Sequence, residues 1–375
     1  MRKSVLAVSA ASALVLAGLI ACAPPQKDNS GGETSSGVKV SDAKSAADFG
    51  GMDALVAAAK KEGELNVIAL PPDWANYGAI IKAFSDKYGI KVNSAQPDAA
   101  SQDEINAANE QKGKSTAPDV FGLGQSVALA NTSMFAPYKV ATFDDIPAAF
   151  KDPTGAWVND YGGYMSIGFD SAKVPPVTSV NDLLKPEYKG EVALNGDPTQ
   201  AGAAYSGVLM VALSQGGSVD DVAPGVEFFR KLKAAGNLLP VDPTPATVES
   251  GQTPVVIDWN YLNAAETAKL PTWQLVVPPN AVVAGYYYQA IDKDAPHPAA
   301  ARLWQEFLYS DEGQNLFAAG GVRPVRADQM MQAGTIDKAA VGKIPVIDGP
   351  VTVPSPDQTD KATKYLADNW AMAIG

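Results

Sequence analysis

Apolar and polar positions alternate at period two from Tyr164 to Phe169, with Met165, Ile167 and Phe169 on one side and Tyr164, Ser166 and Gly168 on the other. That period predicts an extended strand over 162–170 with one apolar face. Pro175 and Pro176 then force an extended turn, because each fixes φ and lacks a donor. Thr178 or Ser179 can cap a short helix through Leu183 and Leu184. Glu191 to Leu194 read as a second strand closed by Asn195 and Gly196, and Asp197-Pro198-Thr199 as a helix start.

Upstream, Met52, Leu55, Val56 and Ala59 recur at helical spacing before Gly63, and Glu64 to Leu70 form a first strand. The loop 71–78 leads into a helix with Ile80, Ile81, Phe84 and Tyr88 on its buried stripe. Strands at 90–95 and 119–123 flank a polar helix at 103–112. Downstream the pattern predicts helices at 201–213 and 226–233, strands at 254–259, 273–277 and 282–289, helices at 300–309 and 311–319, and a last helix at 360–370. Strands alternating with helices predict an α/β chain with parallel-rich sheets, in which ligands bind beyond the carboxyl ends of strands. The loops to watch are therefore 70–78, 122–127, 195–202 and 257–263, with 284–288 beside them.

The 375 residues suit about two domains, and the net charge of −12 disfavours a nucleic-acid partner, whose phosphates would be repelled. Arg2 and Lys3, an uncharged run from Ser4 to Ala21, and Leu19-Ile20-Ala21-Cys22 mark a secretory signal at 1–21. The last phrase resembles the bacterial lipobox, which implies cleavage before Cys22 and lipid on its thiol. Cys22 is the single cysteine, so no disulfide can form within the chain. Residues 22–46, rich in Gly, Ser and charge, read as a disordered tether.

Catalytic chemistry has little to stand on. His297 is the only histidine and sits in the turn Ala295-Pro296-His297-Pro298, so neither a Ser-His-Asp triad nor a histidine metal site can be assembled. The chain carries no G-x-S-x-G, H-E-x-x-H, P-loop or G-x-G-x-x-G, and no cofactor or metal is expected. A binding site is better supported. Asp73, Trp74 and Tyr77 occupy one strand-end loop, and Asp258, Trp259 and Tyr261 another. A carboxylate beside aromatic faces stabilises a desolvated ammonium. Gln125 with Ser126, and Thr199 with Gln200, lie at helix starts, whose donors favour a carboxylate or phosphate. Tyr287 or its two neighbours can look into the same space.

The order strand, turn, short helix, strand, helix start, with the phrases GFDSAKVPPVTSVNDLL and KGEVALNGDPTQAGAA, resembles extracellular solute-binding proteins of ABC importers. The similarity covers roughly residues 50 to 325, and within the family it is to the branch of ferric-ion, aminophosphonate, thiamine and polyamine binders. The resemblance implies a two-lobed type II periplasmic-binding-protein fold, with the ligand cleft between lobes joined by crossing strands. Lobe 1 would comprise 47–163 and 282–335, lobe 2 164–281, with a tail at 336–375. It further implies a monomeric, lipid-anchored extracytoplasmic protein that hands a small solute to membrane permease subunits. In ferric-ion binders of this branch an adjacent tyrosine pair ligates the metal. Here that stretch reads Asp258-Trp259-Asn260-Tyr261, with one tyrosine. The expected solute carries an amine, as a polyamine or amino-zwitterion does. The alternatives are an anionic solute (a phosphate or phosphonate ester) or ferric ion in the same cleft, and, outside transport, a lipid-anchored hydrolase or an envelope scaffold.

Overall fold

The structure, a computed structural model, describes residues 32–345, 347 and 350–375; the predicted signal segment and Cys22 lie outside them. Along the chain, helices α1 (Ala46–Phe49) and α2 (Met52–Glu62) precede strand β1 (Glu64–Ile68), and helix α3 (Tyr77–Tyr88) precedes β2 (Lys91–Ala95). Helix α4 (Ser101–Glu110), β3 (Val120–Leu123), α5 (Gln125–Ala130) and the short β4 (Phe135–Ala136) complete the first set. The long β5 (Val158–Asp170) then leads to β6 (Val192–Leu194), α6 (Gly202–Ser214), α7 (Ala223–Ala234), α8 (Pro245–Glu249), β7 (Val255–Trp259), α9 (Asn260–Glu266) and β8 (Trp273–Val276). Strand β9 (Ala284–Asp292) returns to α10 (Pro298–Leu308), α11 (Asp311–Ala319), β10 (Arg323–Pro324), α12 (Ala327–Ala333), α13 (Lys338–Val341) and the closing α14 (Pro356–Ile374).

β5 is the axis of the molecule. Its first half pairs antiparallel with β9 (Asn159 opposite Tyr288, Gly162 opposite Tyr286), and its second half with β7 (Ser166 opposite Asp258) and β8 (Gly168 opposite Leu275). β3 joins the far side of β9, and β6 lies parallel to β7. One strand thus belongs to both halves, so the halves meet where β5 changes partners, between Tyr164 and Met165.

The sheets are less parallel than the pattern predicts. β1–β2 and β6–β7 are parallel, whereas every pairing of β5 and of β9 is antiparallel, because the chain crosses between halves and then recrosses. The polar side of β5 is also buried. Ser166 donates to the Asp258 carbonyl and accepts from Asn263, which lies over Gly168. α9 therefore covers the face that alternation assigns to solvent.

Residues 32–46 do not behave as the predicted tether. Val40 and Ala43 are buried, and the carbonyls of Ser41 and Ala43 accept hydrogen bonds from the buried Arg302 guanidinium at 2.5 and 2.7 Å. A buried guanidinium needs acceptors, and this segment supplies backbone ones despite its polar composition. His297 likewise leaves the expected free turn: its Nδ1 lies 2.9 Å from Asp119, whose carboxylate also accepts from the His297 and Asn66 amides. Among the described residues no helix is long and apolar enough to cross a membrane.

The closing helix is longer than its sequence pattern suggests. Ser355 caps α14 through Gln358, and Thr359, Ala362, Leu366 and Trp370 form a buried stripe. The Trp370 ring meets Phe229 of α7 at 5.2 Å, while Thr352, just before α14, bridges Val283.

Candidate functional site

A cavity of about 620 Å³ lies between the halves. One wall comes from the loop after β1 (Ala69 to Trp74), the segment Pro97–Glu104 and Gly122 at the end of β3. The other comes from Asn195–Ala203 after β6, Asp242–Pro245, Asp258 at the end of β7, and α9 with Lys269. Both walls are built from segments beyond strand carboxyl ends, as α/β topology dictates.

The inner end of the cleft is aromatic. Trp74 donates its Nε1–H to the Tyr161 hydroxyl at 2.8 Å and meets the rings of Tyr261 and Tyr287 edge-on at 6.2 and 5.8 Å. Tyr161 stacks on Tyr287 at 5.4 Å, and Trp259 stacks on Tyr261 at 6.3 Å. Two glycines make this packing possible, because a Cβ on Gly163 would stand 2.7 Å from the Tyr261 ring and one on Gly285 2.5 Å from Trp259. Beneath the rings, the buried Asp160 carboxylate accepts from Gln289 at 2.9 Å, Tyr77 at 3.3 Å and the Tyr161 amide at 2.8 Å. Burial outweighs these bonds and pushes its carboxyl up to about 8.

Asp258 sits at the edge of the aromatic floor, 6% exposed, and accepts from Asn195 Nδ2 and the Trp259 amide, both at 2.7 Å. Burial raises its carboxyl to about 7. Glu104, whose carboxylate takes the Gly122 amide at 2.9 Å, is held well above its usual range for the same reason. Outward from these stand Asp73, Asp98, Asp103, Asp197, Asp242 and Glu266, and among the described residues the one cationic side chain lining the cleft is Lys269. The walls thus concentrate negative charge in a partly dry space, where field lines are focused.

The predicted site residues separate into three groups. Asp73, Trp74, Tyr77, Gln200, Asp258 and Tyr287 line the cleft. Trp259 and Tyr261 do not; they are 3% and 2% exposed and form the packing behind Tyr287, whose hydroxyl accepts from Trp259 Nε1 at 3.3 Å. Gln125, Ser126 and Thr199 also stand outside it. Gln125 donates to the Pro354 carbonyl, and the amide and hydroxyl of Thr199 are bound to the Asp197 carboxylate at 2.8 and 2.7 Å. The donors predicted to take an anion at Thr199 are thus occupied by a carboxylate of the chain itself, and α6 starts only at Gly202.

Tyr161, Asn195, Glu104, Glu266 and Lys269 escaped the sequence reading as site residues. Tyr161 lies just outside the predicted strand, Asn195 reads as a strand terminator at the start of the watched loop 195–202 without being singled out, and Glu104 sits on a helix whose pattern is polar. Glu266 and Lys269 fall between the predicted strands at 254–259 and 273–277. Their i, i+3 spacing after Tyr261 and Leu262 was the available sign of α9 and its final turn.

A family model described as bacterial extracellular solute-binding protein matches residues 121–341. Solved structures similar to the chain include the periplasmic binding protein AgtB from A. tumefaciens R10 in complex with agropinic acid, at 16% identity and TM-score 0.67, covering 83% of this chain and 98% of that one. Another is the periplasmic binding protein AfuA from Actinobacillus pleuropneumoniae with fructose-6-phosphate, at 18% identity and TM-score 0.64, covering 83% and 98%. A third is a putative spermidine/putrescine ABC transporter from Listeria monocytogenes, at 14% identity and TM-score 0.63, covering 83% and 98%. At these identities the likeness is one of fold: α/β and two-lobed, with the cleft between the lobes.

Proposed function

We propose, from the premise that the chain belongs to the bacterial extracellular solute-binding proteins and so works outside the cytoplasm as the substrate-binding component of an ABC transporter, that its solute is small, polar and amine-bearing. The observation that carries this reading is the cleft lining: Asp258 and Glu104 beside Trp74, Tyr161 and Tyr287, six further carboxylates outward, and Lys269 as the single cation among the described residues. An ammonium placed at Asp258 gains the carboxylate and the π faces together, with cation–π attraction of ~0.5–2 kcal/mol per ring. It also draws the Asp258 carboxyl, raised by burial to about 7, toward its ionised form.

The two lobes close on the solute and release it to permease subunits, while lipid on Cys22 holds the monomeric protein at the membrane. Binding drives closure because a solute touching both walls favours the closed state. The chain performs no covalent chemistry in this reading: the one histidine is paired with Asp119 at the far side of β3 and does not line the cleft. An anionic solute is disfavoured by the carboxylate lining, and ferric ion by the burial of Tyr261 behind the cleft.

Native mass spectrometry of freshly purified protein tests the proposal. The expected result is a co-purified amine, retained under gentle ionisation and lost on unfolding. A phosphate ester or a metal in its place overturns the amine reading.

A further inference from the structure

The outer lip of the cleft holds an arrangement that binding at Asp258 leaves unused. Glu266 ends α9, and the backbone turns there so that the Lys269 and Leu270 amides both bond to the Glu266 carbonyl, at 3.0 and 2.8 Å. Glu266 and Lys269 thus share one turn. The Glu266 side chain is 6% exposed and lines the cleft, and its Oε2 is buried without a hydrogen-bond partner. The Lys269 ammonium stands 3.1 Å from Glu249 of α8 and 4.0 Å from Asp73, which reaches across from the opposite wall. Two carboxylates, one from each wall, therefore hold one ammonium that the protein itself supplies, and the Glu266 carboxylate lies near it with its Oε2 unpaired.

We propose that Asp73 and Glu249, with Glu266 beside them, form a second cation subsite at the lip, that Lys269 occupies it in the solute-free protein through Asp73 and Glu249, and that Lys269 makes the cleft selective for solutes with one ammonium over those with two. The proposal rests on the amine reading of the inner site and extends it. A buried carboxylate oxygen with no partner is costly to leave unpaired, so Glu266, which Lys269 does not pair, adds to the demand of the lip for positive charge. While Lys269 is that cation, a second ammonium on the solute must either displace it or sit beside a like charge, and both oppose binding. Without Lys269, closure brings Asp73 against Glu249 and Glu266 with nothing between them. The lysine is then also the group that lets the lips meet.

The test replaces the charge while keeping a polar chain: Lys269→Gln, alone and with Glu266→Gln. The probes are 1-aminopentane and 1,5-diaminopentane, titrated calorimetrically into parent and variants at low salt. The ratio of diamine to monoamine affinity is expected to rise at least fivefold in Lys269→Gln and to fall back toward the parent value in the double variant. A ratio within twofold of the parent overturns the inference. A second readout needs no solute. Small-angle scattering of solute-free Lys269→Gln at low salt should show a larger radius of gyration than the parent, with the difference removed by high salt, as repulsion between the lips requires. An unchanged radius overturns the inference whether or not any amine binds. If neither probe binds any form while the expansion is seen, the amine reading of the inner site falls and the lip subsite stands.

Discussion

The inner floor of the cleft and its outer lip are built from the same residue types but are stabilised in different ways. On the floor, each acid is buried and tied to fixed donors: Asp160 to Gln289, Tyr77 and the Tyr161 amide, Asp258 to Asn195 and the Trp259 amide. At the lip, Asp73 has a side chain 74% exposed, and among the described residues its only ion pair is the long contact to Lys269. The floor is preorganised by packing, so a ligand finds its partners already in place and loses little to ordering them. The lip is held by charges that water and salt screen, so it can open and close at little cost. Strength belongs to the floor and adjustability to the lip.

The largest expected effect comes from breaking the floor. Trp259→Ala removes a buried ring that touches Tyr261, Tyr287 and the backbone at Gly285, and should lower stability by ~3–5 kcal/mol in denaturant unfolding. A loss below about 1 kcal/mol would show the floor to be loosely packed and erase the contrast with the lip.

Asp258→Asn comes next, because it tests the floor's charge and leaves its packing intact. Once the co-purified amine is known, calorimetric titration should show binding weakened by ~2–5 kcal/mol, as the ammonium is left buried without its counter-charge. Binding as tight as the parent's would move the recognition outward to the lip.

A pH dependence also separates the two regions. Asp160 and Asp258, raised to about 8 and about 7, keep protons in the folded state at pH values where the unfolded chain, with aspartate near ~3.9, has lost them. The folded state then binds more protons, so stability is highest below the unfolded value and falls as pH rises from about 4 to 8. Thermal unfolding of the solute-free protein should show Tm falling from pH 5 to pH 8, with a shallower fall in Asp160→Asn. A rising Tm over that interval would contradict the burial of the floor acids.

Much of this fold was legible in local pattern. The period-two run at 164–169 marked the second half of β5, and the stripe Ile80, Ile81, Phe84 and Tyr88 marked α3, because a half-buried element must repeat its apolar side at its own pitch. Asp73, Trp74, Asp258 and Tyr287 could be named because strand-end loops of α/β units converge on one cleft.

The division of labour among these residues was not legible. Trp259 and Asp258 are neighbours in the chain and point to opposite sides of a strand, so one became packing and the other lining. Thr199 resembled an anion-binding helix start until Asp197 was seen to take its donors. Glu266, Asp73 and Lys269 carry no shared motif, and only closure of two distant segments brings their charges within reach. The sequence by itself determined the α/β elements, the strand-end loops and the surplus of acid, since each depends on near neighbours or on composition. Only the tertiary structure decided which acids are buried, which aromatics face the solute and where Lys269 stands, since burial and Coulomb energy depend on distances in space that chain order leaves free.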